Sequence, residues 1–255
     1  MKSAELMRPA EIIQARERLS CAFIPVSPMF EWHSYHLPLA TDGLIAEAIC
    51  ALTAEKLGGV YFRTLSFGLD RFRTEAECAA WGLEPRDNVY GMNFPKVPLK
   101  SEYCLEPEMF AAVKNRLDAV KGCGFKAAFL YNHHGGAGQN ELVAKIAASC
   151  RTDTFIVEAL ATNKMSTFKH PGLTVGGHAG LAETHVLMAF RPELIDLTTQ
   201  PDGELNVATS GILHSKPVIE AKFNPREAQK AIADEYRKNV LANVEACVKQ
   251  TMNLA

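Results

Sequence analysis

The sequence has no Cys-x-x-Cys pair: its seven cysteines, at 21, 50, 78, 104, 123, 150 and 247, are odd in number and widely spaced. That excludes a disulfide framework and a thiolate zinc site, and leaves most of the cysteines as small core residues. No apolar run approaches the roughly 20 residues needed to cross a bilayer. The first 20 residues carry Lys2, Glu5, Arg8, Glu11, Arg16, Glu17 and Arg18 and no apolar signal core, so a cytoplasmic protein is expected. Blocks of one charge are also missing. The 27 basic and 29 acidic residues give a net charge of −2 and are scattered, which argues against nucleic acid or an anionic membrane as partner. There is no repeat, low-complexity stretch or dividing linker. What remains is 255 residues, 47% of them hydrophobic and 22% charged, enough for one domain over residues 1–255 with a sizeable core.

Periodicity predicts alternating strands and helices. A helix over Pro9–Leu19, opened by proline, precedes a buried strand over Cys21–Val26. Thr41 or Asp42 is placed to cap a helix running to about Lys56, which Gly58 and Gly59 stop. A strand over Val60–Ser66 leads into an irregular, aromatic-bearing excursion to about Leu105, of the kind that serves as a lid or an oligomer contact. Then come a helix over Pro107–Lys121, a strand over Lys126–Tyr131, a glycine-rich turn and a helix over Asn140–Ala148. A strand at Thr154–Ala159 and helices at Glu183–Phe190 and Pro225–Met252 complete the pattern. The alternation predicts an α/β fold, a three-layer α/β/α sandwich around a mostly parallel sheet.

The eight histidines cluster in segments that also hold acids and glycines. Glu31-Trp32-His33-Ser34-Tyr35-His36 follows the first strand, and Glu31 and His33, two apart, point to one side of an extended backbone. Asp42 follows at the next helix N-terminus, where the dipole favours a carboxylate. Asn132-His133-His134-Gly135-Gly136 lies at the carboxyl end of a strand, the usual place for a site in open α/β sheets. A glycine-rich turn of this kind also suits phosphate, but neither phosphate-binding fingerprint, GxGxxG or GxxxxGK with Ser or Thr, occurs in it. Gly176-Gly177-His178-Ala179-Gly180 leads to Glu183. If Glu31, His33, Asp42, His134 and Glu183 ligate together, their three negative charges balance two divalent cations and a bridging hydroxide. Oxygen and nitrogen donors of this kind suit Zn²⁺, Mn²⁺ or Fe²⁺.

The motifs E-x-H-x-x-H-L-P-L-x-T-D from Glu31 to Asp42, Asn132 with His134-Gly135-Gly136, and H-A-G-x-x-E-T from His178 to Thr184 together resemble the creatininase family of amidohydrolases. The resemblance covers about residues 21–190. It implies a dinuclear centre with two divalent ions per chain and hydrolysis of a cyclic amide or formamide, with a metal-bridging hydroxide as nucleophile. It also implies a homo-oligomer, commonly a hexamer. Glu31, His33, Asp42, His134 and Glu183 match the family's ligands, Asp42 as the bridge, and His178 matches a histidine that moves protons. His36, Tyr35 and Trp32 are candidates for the substrate pocket, and each also suits plain packing. His133, His170, His185 and His214 are left to structural or solvent-facing roles.

The departures fall near the expected substrate contacts. Gly136 stands where creatininase itself has a glutamate, which makes creatinine an unfavoured substrate, and His133 stands where the family has glycine. The expectation is thus a small-molecule amidohydrolase of divergent specificity. Hydrolytic C–C cleavage of a cyclic diketone, of the inosose type, at the same centre is one alternative. A metal-free binding or scaffold protein on the same fold is another.

Overall fold

The computed structural model describes residues 1–174, 177–214 and 218–254. The apolar runs Cys21–Pro25 and Ala127–Asn132 form strands β1 and β3, and every residue of both is buried. Unbroken apolar runs are what a parallel strand covered on both faces requires. Strand β2 (Val60–Tyr61) pairs on one side of β1, and β4 (Ile156–Ala161) pairs on the far side of β3. The order is β2-β1-β3-β4, and all three pairings are parallel.

Ten α-helical segments surround this sheet among the described residues: α1 (Pro9–Arg18), α2 (Thr41–Leu57), α3 (Glu75–Ala80), α4 (Glu106–Gly122), α5 (Gln139–Cys150), α6 (Thr162–Met165), α7 (Pro171–Thr174), α8 (Leu181–Phe190), α9 (Val207–Ser210) and α10 (Lys230–Met252). Alternate strand residues sort them into two layers. Phe23, Phe129 and Tyr131 pack with Ile45 and Ile49 of α2, Leu187 of α8, and Tyr236 and Val240 of α10. Ile24 and Leu130 point the other way, onto Met109, Val113 and Leu117 of α4 and Leu142 and Ile146 of α5. Each such side chain contributes roughly 1.5–3 kcal/mol by leaving water. The expected three-layer α/β/α sandwich is what the chain forms. Among the described residues no helix is long and apolar enough to cross a membrane.

Several boundaries differ from the sequence expectation. Strand β2 stops at Tyr61 instead of Ser66, because the chain bends away and returns only as a single bridge from Leu65 to Val26. The excursion contains a short helix, α3, opened by a reciprocal Thr74/Glu77 capping box. The last helix starts at Lys230, since Pro225–Glu227 forms a separate 3₁₀ turn. Neither Thr41 nor Asp42 caps α2: the N-cap is Ala40, Thr41 donates its hydroxyl to Pro38 O, and the Asp42 carboxylate turns inward. Three cysteines, Cys21, Cys50 and Cys78, are buried, three more are partly buried, and Cys123 is exposed.

Topology places the site. From β1 the chain passes through α2 to β2 on one side, whereas from β3 it passes through α5 to β4 on the other. The loops leaving these adjacent strands therefore diverge, opening a crevice at their carboxyl ends, where ligands bind in open α/β sheets.

Candidate metal centre

Into that crevice the turns bring Glu31 and His33 from the loop after β1, Asp42 from the first turn of α2, His134 from the turn after β3, and Glu183 from the first turn of α8. Gly176 of the third glycine-rich turn lies outside the described residues. Glu31, His33, Asp42 and His134 are at most 4% exposed. Burying two carboxylates and two imidazoles together, with the partly exposed Glu183 beside them, is costly unless each finds a partner of opposite charge.

The hydrogen bonds fix which nitrogen of each ring faces the centre. His33 Nδ1 donates to the carbonyl of Glu31 (3.0 Å), which leaves Nε2 facing Asp42 Oδ1 at 3.6 Å, Glu31 Oε2 at 3.8 Å and Glu183 Oε2 at 3.8 Å. His134 Nε2 contacts the carbonyl of Leu69 (3.2 Å), which leaves Nδ1 facing Asp42 Oδ2 at 2.9 Å and Glu31 Oε2 at 3.2 Å. Outer contacts of this type orient metal-binding histidines. Among the described residues the buried His33 Nε2 and Glu31 Oε2 have no hydrogen-bond partner, and neither does Nδ1 of His36 on the same loop. Among the described residues three groups of possible ligand atoms lie mutually within 4.8 Å: Glu31 with Asp42 and His134, His33 with Asp42 and Glu183, and Glu31 with His33 and His178.

Electrostatics point the same way. Burial works against charge on Asp42, yet His134 and His33 hold its carboxyl well below the usual range. Burial also pulls His33 down, but Asp42, Glu183 and Glu31 push it up to about 10. His134 is likewise raised well above its ordinary value by Glu31 and Asp42 against the burial penalty. The cluster thus demands positive charge. From protein atoms alone, protons on the imidazoles supply it, and a divalent cation would displace them.

The turn after β3 is fastened from all sides. Asn132 Nδ2 donates to His134 O and to Asn140 Oδ1 (both 2.8 Å), and its Oδ1 accepts from His134 N (3.0 Å). Gln139, fully buried, accepts from Leu69 N (2.6 Å) and donates to Phe67 O (3.0 Å) and Asn132 Oδ1 (3.1 Å). Gly136 is required at its position, since a Cβ there would sit 2.0 Å from His134 Nε2 and 2.3 Å from Leu69 O.

The remaining sequence candidates fall into different places. His178 Nε2 donates to the carbonyl of Trp32, and its Nδ1 lies 3.9 Å from Glu183 Oε2, so it borders the centre. Trp32 is buried in a separate small core with Phe94 and Val97, and its ring nitrogen donates to Ser210 O (3.1 Å). Tyr35 is 41% exposed with its ring edge on Trp32. His36 Nε2 donates to the Thr184 hydroxyl (3.0 Å), which in turn donates to Gly180 O. None of these three rings lines the cavity beside Glu183. That cavity, of about 400 Å³, is lined by His133, Thr162, Ser166, Phe168, Lys169 and Glu183 among others.

Two residues escaped the sequence reading. Tyr103, from the aromatic excursion, donates its hydroxyl to Glu31 Oε1 (2.7 Å) and accepts from Met92 N (2.9 Å). Its ring lies against Gly91, where φ is +56° and a Cβ would collide with the ring at 2.3 Å. His133, set aside above as structural or solvent-facing, is 8% exposed at its side chain with Nε2 3.8 Å from Asp42 Oδ1. The doublet His133-His134 was the available signal for it. Adjacent residues diverge on a strand, but β3 ends at Asn132 and the turn lets both rings face Asp42.

The same fold occurs in solved creatininases. A creatinine amidohydrolase (creatininase) superposes with a TM-score of 0.71 at 15% identity over 100% of both chains. A manganese form of creatininase gives 0.69 at 14% identity, covering 98% of this chain and 99% of that one. A creatininase variant of the Zn-Zn type gives 0.66 at 16% identity, covering 99% of both. No curated protein sequence matches the chain. The sequence profile of the family described as creatinine amidohydrolase matches residues 90–238, a span holding His134 and the whole His178–Thr184 motif, and the chain belongs to the creatininase family.

Proposed function

We propose that this creatininase-family protein is a dinuclear metal-dependent hydrolase of a small cyclic amide, formamide or related carbonyl compound. The observation that carries the reading is the division of Asp42. Its Oδ2 faces His134 Nδ1 with Glu31 alongside, while its Oδ1 faces His33 Nε2 with Glu183 alongside. One carboxylate shared by two donor sets is how a pair of cations is bridged. The donors fit: across a metal with bonds of about 2.1 Å, N···O separations of roughly 3.0–3.6 Å are expected, close to those between the facing atoms. The partnerless His33 Nε2 and Glu31 Oε2 are what a cation would satisfy, and they weigh against a metal-free scaffold.

Glu31, His33, Asp42, His134 and Glu183 would hold two divalent cations, which would supply Lewis acidity for activating a water and polarising a carbonyl oxygen. The chain's own residues do the rest. Leu69 O and Glu31 O hold the two ligand rings in one orientation, and Tyr103 holds Glu31. The cavity beside Glu183 admits a small molecule, with Thr162, Ser166 and Lys169 as polar wall. His178, anchored through Nε2 on Trp32 O, presents Nδ1 to Glu183 and is the group assigned to return a proton to the leaving nitrogen. Elemental analysis of the purified protein tests the reading, with about two divalent ions per chain expected. Fewer than two, even after addition of Mn²⁺ or Zn²⁺, would overturn it. A screen of cyclic amides, formamides and inososes with the loaded protein then identifies the substrate class.

A further inference from the structure

Asp42 Oδ1 has two imidazole nitrogens near it, and the ligand set just described uses one. His33 Nε2 stands 3.6 Å away and His133 Nε2 3.8 Å away. The state of the His133 ring follows from its outer contacts. Its Nδ1 lies 2.8 Å from the Thr162 hydroxyl, and that hydroxyl donates onward to the Tyr131 phenol (3.1 Å). A hydroxyl has one proton to give, so it accepts from the imidazole, and the His133 proton sits on Nδ1. Nε2 is therefore a bare lone pair turned towards a carboxylate oxygen. Two acceptors facing each other in a buried site, with no hydrogen between them, repel unless a cation lies there.

The ring is also held as ligand rings are. The His133 backbone N–H donates to Ser27 Oγ (3.0 Å), which donates to Asn132 Oδ1 (3.2 Å), so the root of the side chain is fixed from the segment just after β1. A histidine whose second nitrogen is tied to a fixed acceptor presents the other in a set direction. His133 belongs to none of the compact three-residue groups, so it approaches from their edge, where it shares the cavity wall with Glu183.

We propose that His133 is an additional imidazole ligand, through Nε2, of the cation held by His33, Asp42 Oδ1 and Glu183. The proposal rests on the dinuclear reading. It makes the two positions chemically unequal, since one holds His134 with Glu31 and Asp42, and the other holds two imidazoles with Asp42 and Glu183. The second position is then richer in nitrogen and suits Zn²⁺, Co²⁺ or Fe²⁺ better than Mn²⁺. It also places a ligand ring on the side from which a substrate in the cavity approaches.

The test is titration of the metal-stripped protein with Co²⁺, followed by visible absorption and by equilibrium dialysis, in the wild type, His133→Ala and Thr162→Val. The wild type is expected to bind two equivalents. His133→Ala should keep one at wild-type affinity, bind the other more weakly by about tenfold or more, and lose absorption intensity only in that step. Thr162→Val removes the acceptor that orients the ring and should weaken the same step by a smaller factor, which covers the case in which His133→Ala fails to fold. Two equivalents binding to both variants as to the wild type, or a loss spread equally over both steps, overturns the assignment of His133. Fewer than two equivalents in the wild type overturns the dinuclear reading, and this assignment with it.

Discussion

The turn after β3 and the segment entering α8 each bring a proposed ligand to one centre, yet they are built differently. The turn that carries His134 is fastened: Asn132, Gln139 and Ser27 bond one another and the turn backbone, and none is more than 1% exposed. Glu183 is 22% exposed at its side chain and lines the open cavity. The backbone before it includes Ala179 at φ +54°, a strained conformation for a residue with a Cβ. The difference follows from where each is rooted. His134 stands two residues from a fully buried strand, whereas Glu183 hangs from the first turn of a helix docked onto the sheet. A rooted half and a looser half that meets solvent would suit a hydrolase whose substrate must come and go.

Loss of one ligand from each half breaks this comparison most severely. His134→Ala removes the imidazole on which the Glu31 and Asp42 charges converge, leaving two buried carboxylates facing each other. It is expected to abolish metal binding at that position and to lower hydrolysis by well over the ~10–100-fold typical of losing an outer-shell partner. Glu183→Gln, on the exposed half, should weaken one equivalent and leave the other near wild-type affinity. Metal content after dialysis checks both. Equal loss in the two variants would show that the halves are not distinct.

Much of this division was legible in the sequence. The unbroken apolar runs at Cys21 and Ala127 placed β1 and β3, and the residues after them placed Glu31, His33 and His134 at the carboxyl ends of strands. The helix Pro107–Lys121 was also placed to within a residue at each end, since its apolar period is regular. Short or irregular pieces were not legible. The Thr74/Glu77 capping box is a readable signal, but a six-residue helix carries too little apolar pattern to stand out. Tyr103 lies 72 residues from Glu31, and no local pattern reports a hydrogen bond formed across the tertiary fold. Asp42 was placed correctly near the helix N-terminus, but a capping role and a ligand role use the same residue types at the same position, so the inward turn of its carboxylate could only be seen in space.

Tyr103 sharpens the comparison, because it belongs to neither half and yet fixes Glu31, a proposed ligand of the rooted one. Tyr103→Phe leaves the ring and removes one hydroxyl that both donates to Glu31 Oε1 and accepts from Met92 N. Two buried polar groups lose a partner, for a stability cost of about 1–3 kcal/mol. Glu31 is freed to rotate, so metal affinity at the His134 position should fall by about 10–100-fold. A chemical denaturation curve and a Co²⁺ titration separate these two effects. Unchanged affinity with reduced stability would make Tyr103 a packing residue alone.

His36 gives the smallest effect and tests the strut between the halves. It comes from the loop that carries His33, and through Thr184 it grips the first turn of α8 next to Glu183. Burial, with help from the charges of His33 and Arg226, lowers its pKa to about 4. An unfolded histidine titrates near 6.5, so below that pH the unfolded state binds the proton first. The contribution to stability is complete above about pH 6.5, shrinks as the pH falls towards 4, and changes no further below that. At pH 5 the loss amounts to about 2 kcal/mol. Gln in place of His36 retains an N–H donor for Thr184 but has no such titration. With both proteins in the same metal state, the stability lost by His36→Gln between pH 7.5 and pH 5 should be smaller than the wild-type loss by about that amount. Equal losses would mean that the ring is protonated in the folded protein as easily as in water, and that the strut carries no desolvated imidazole.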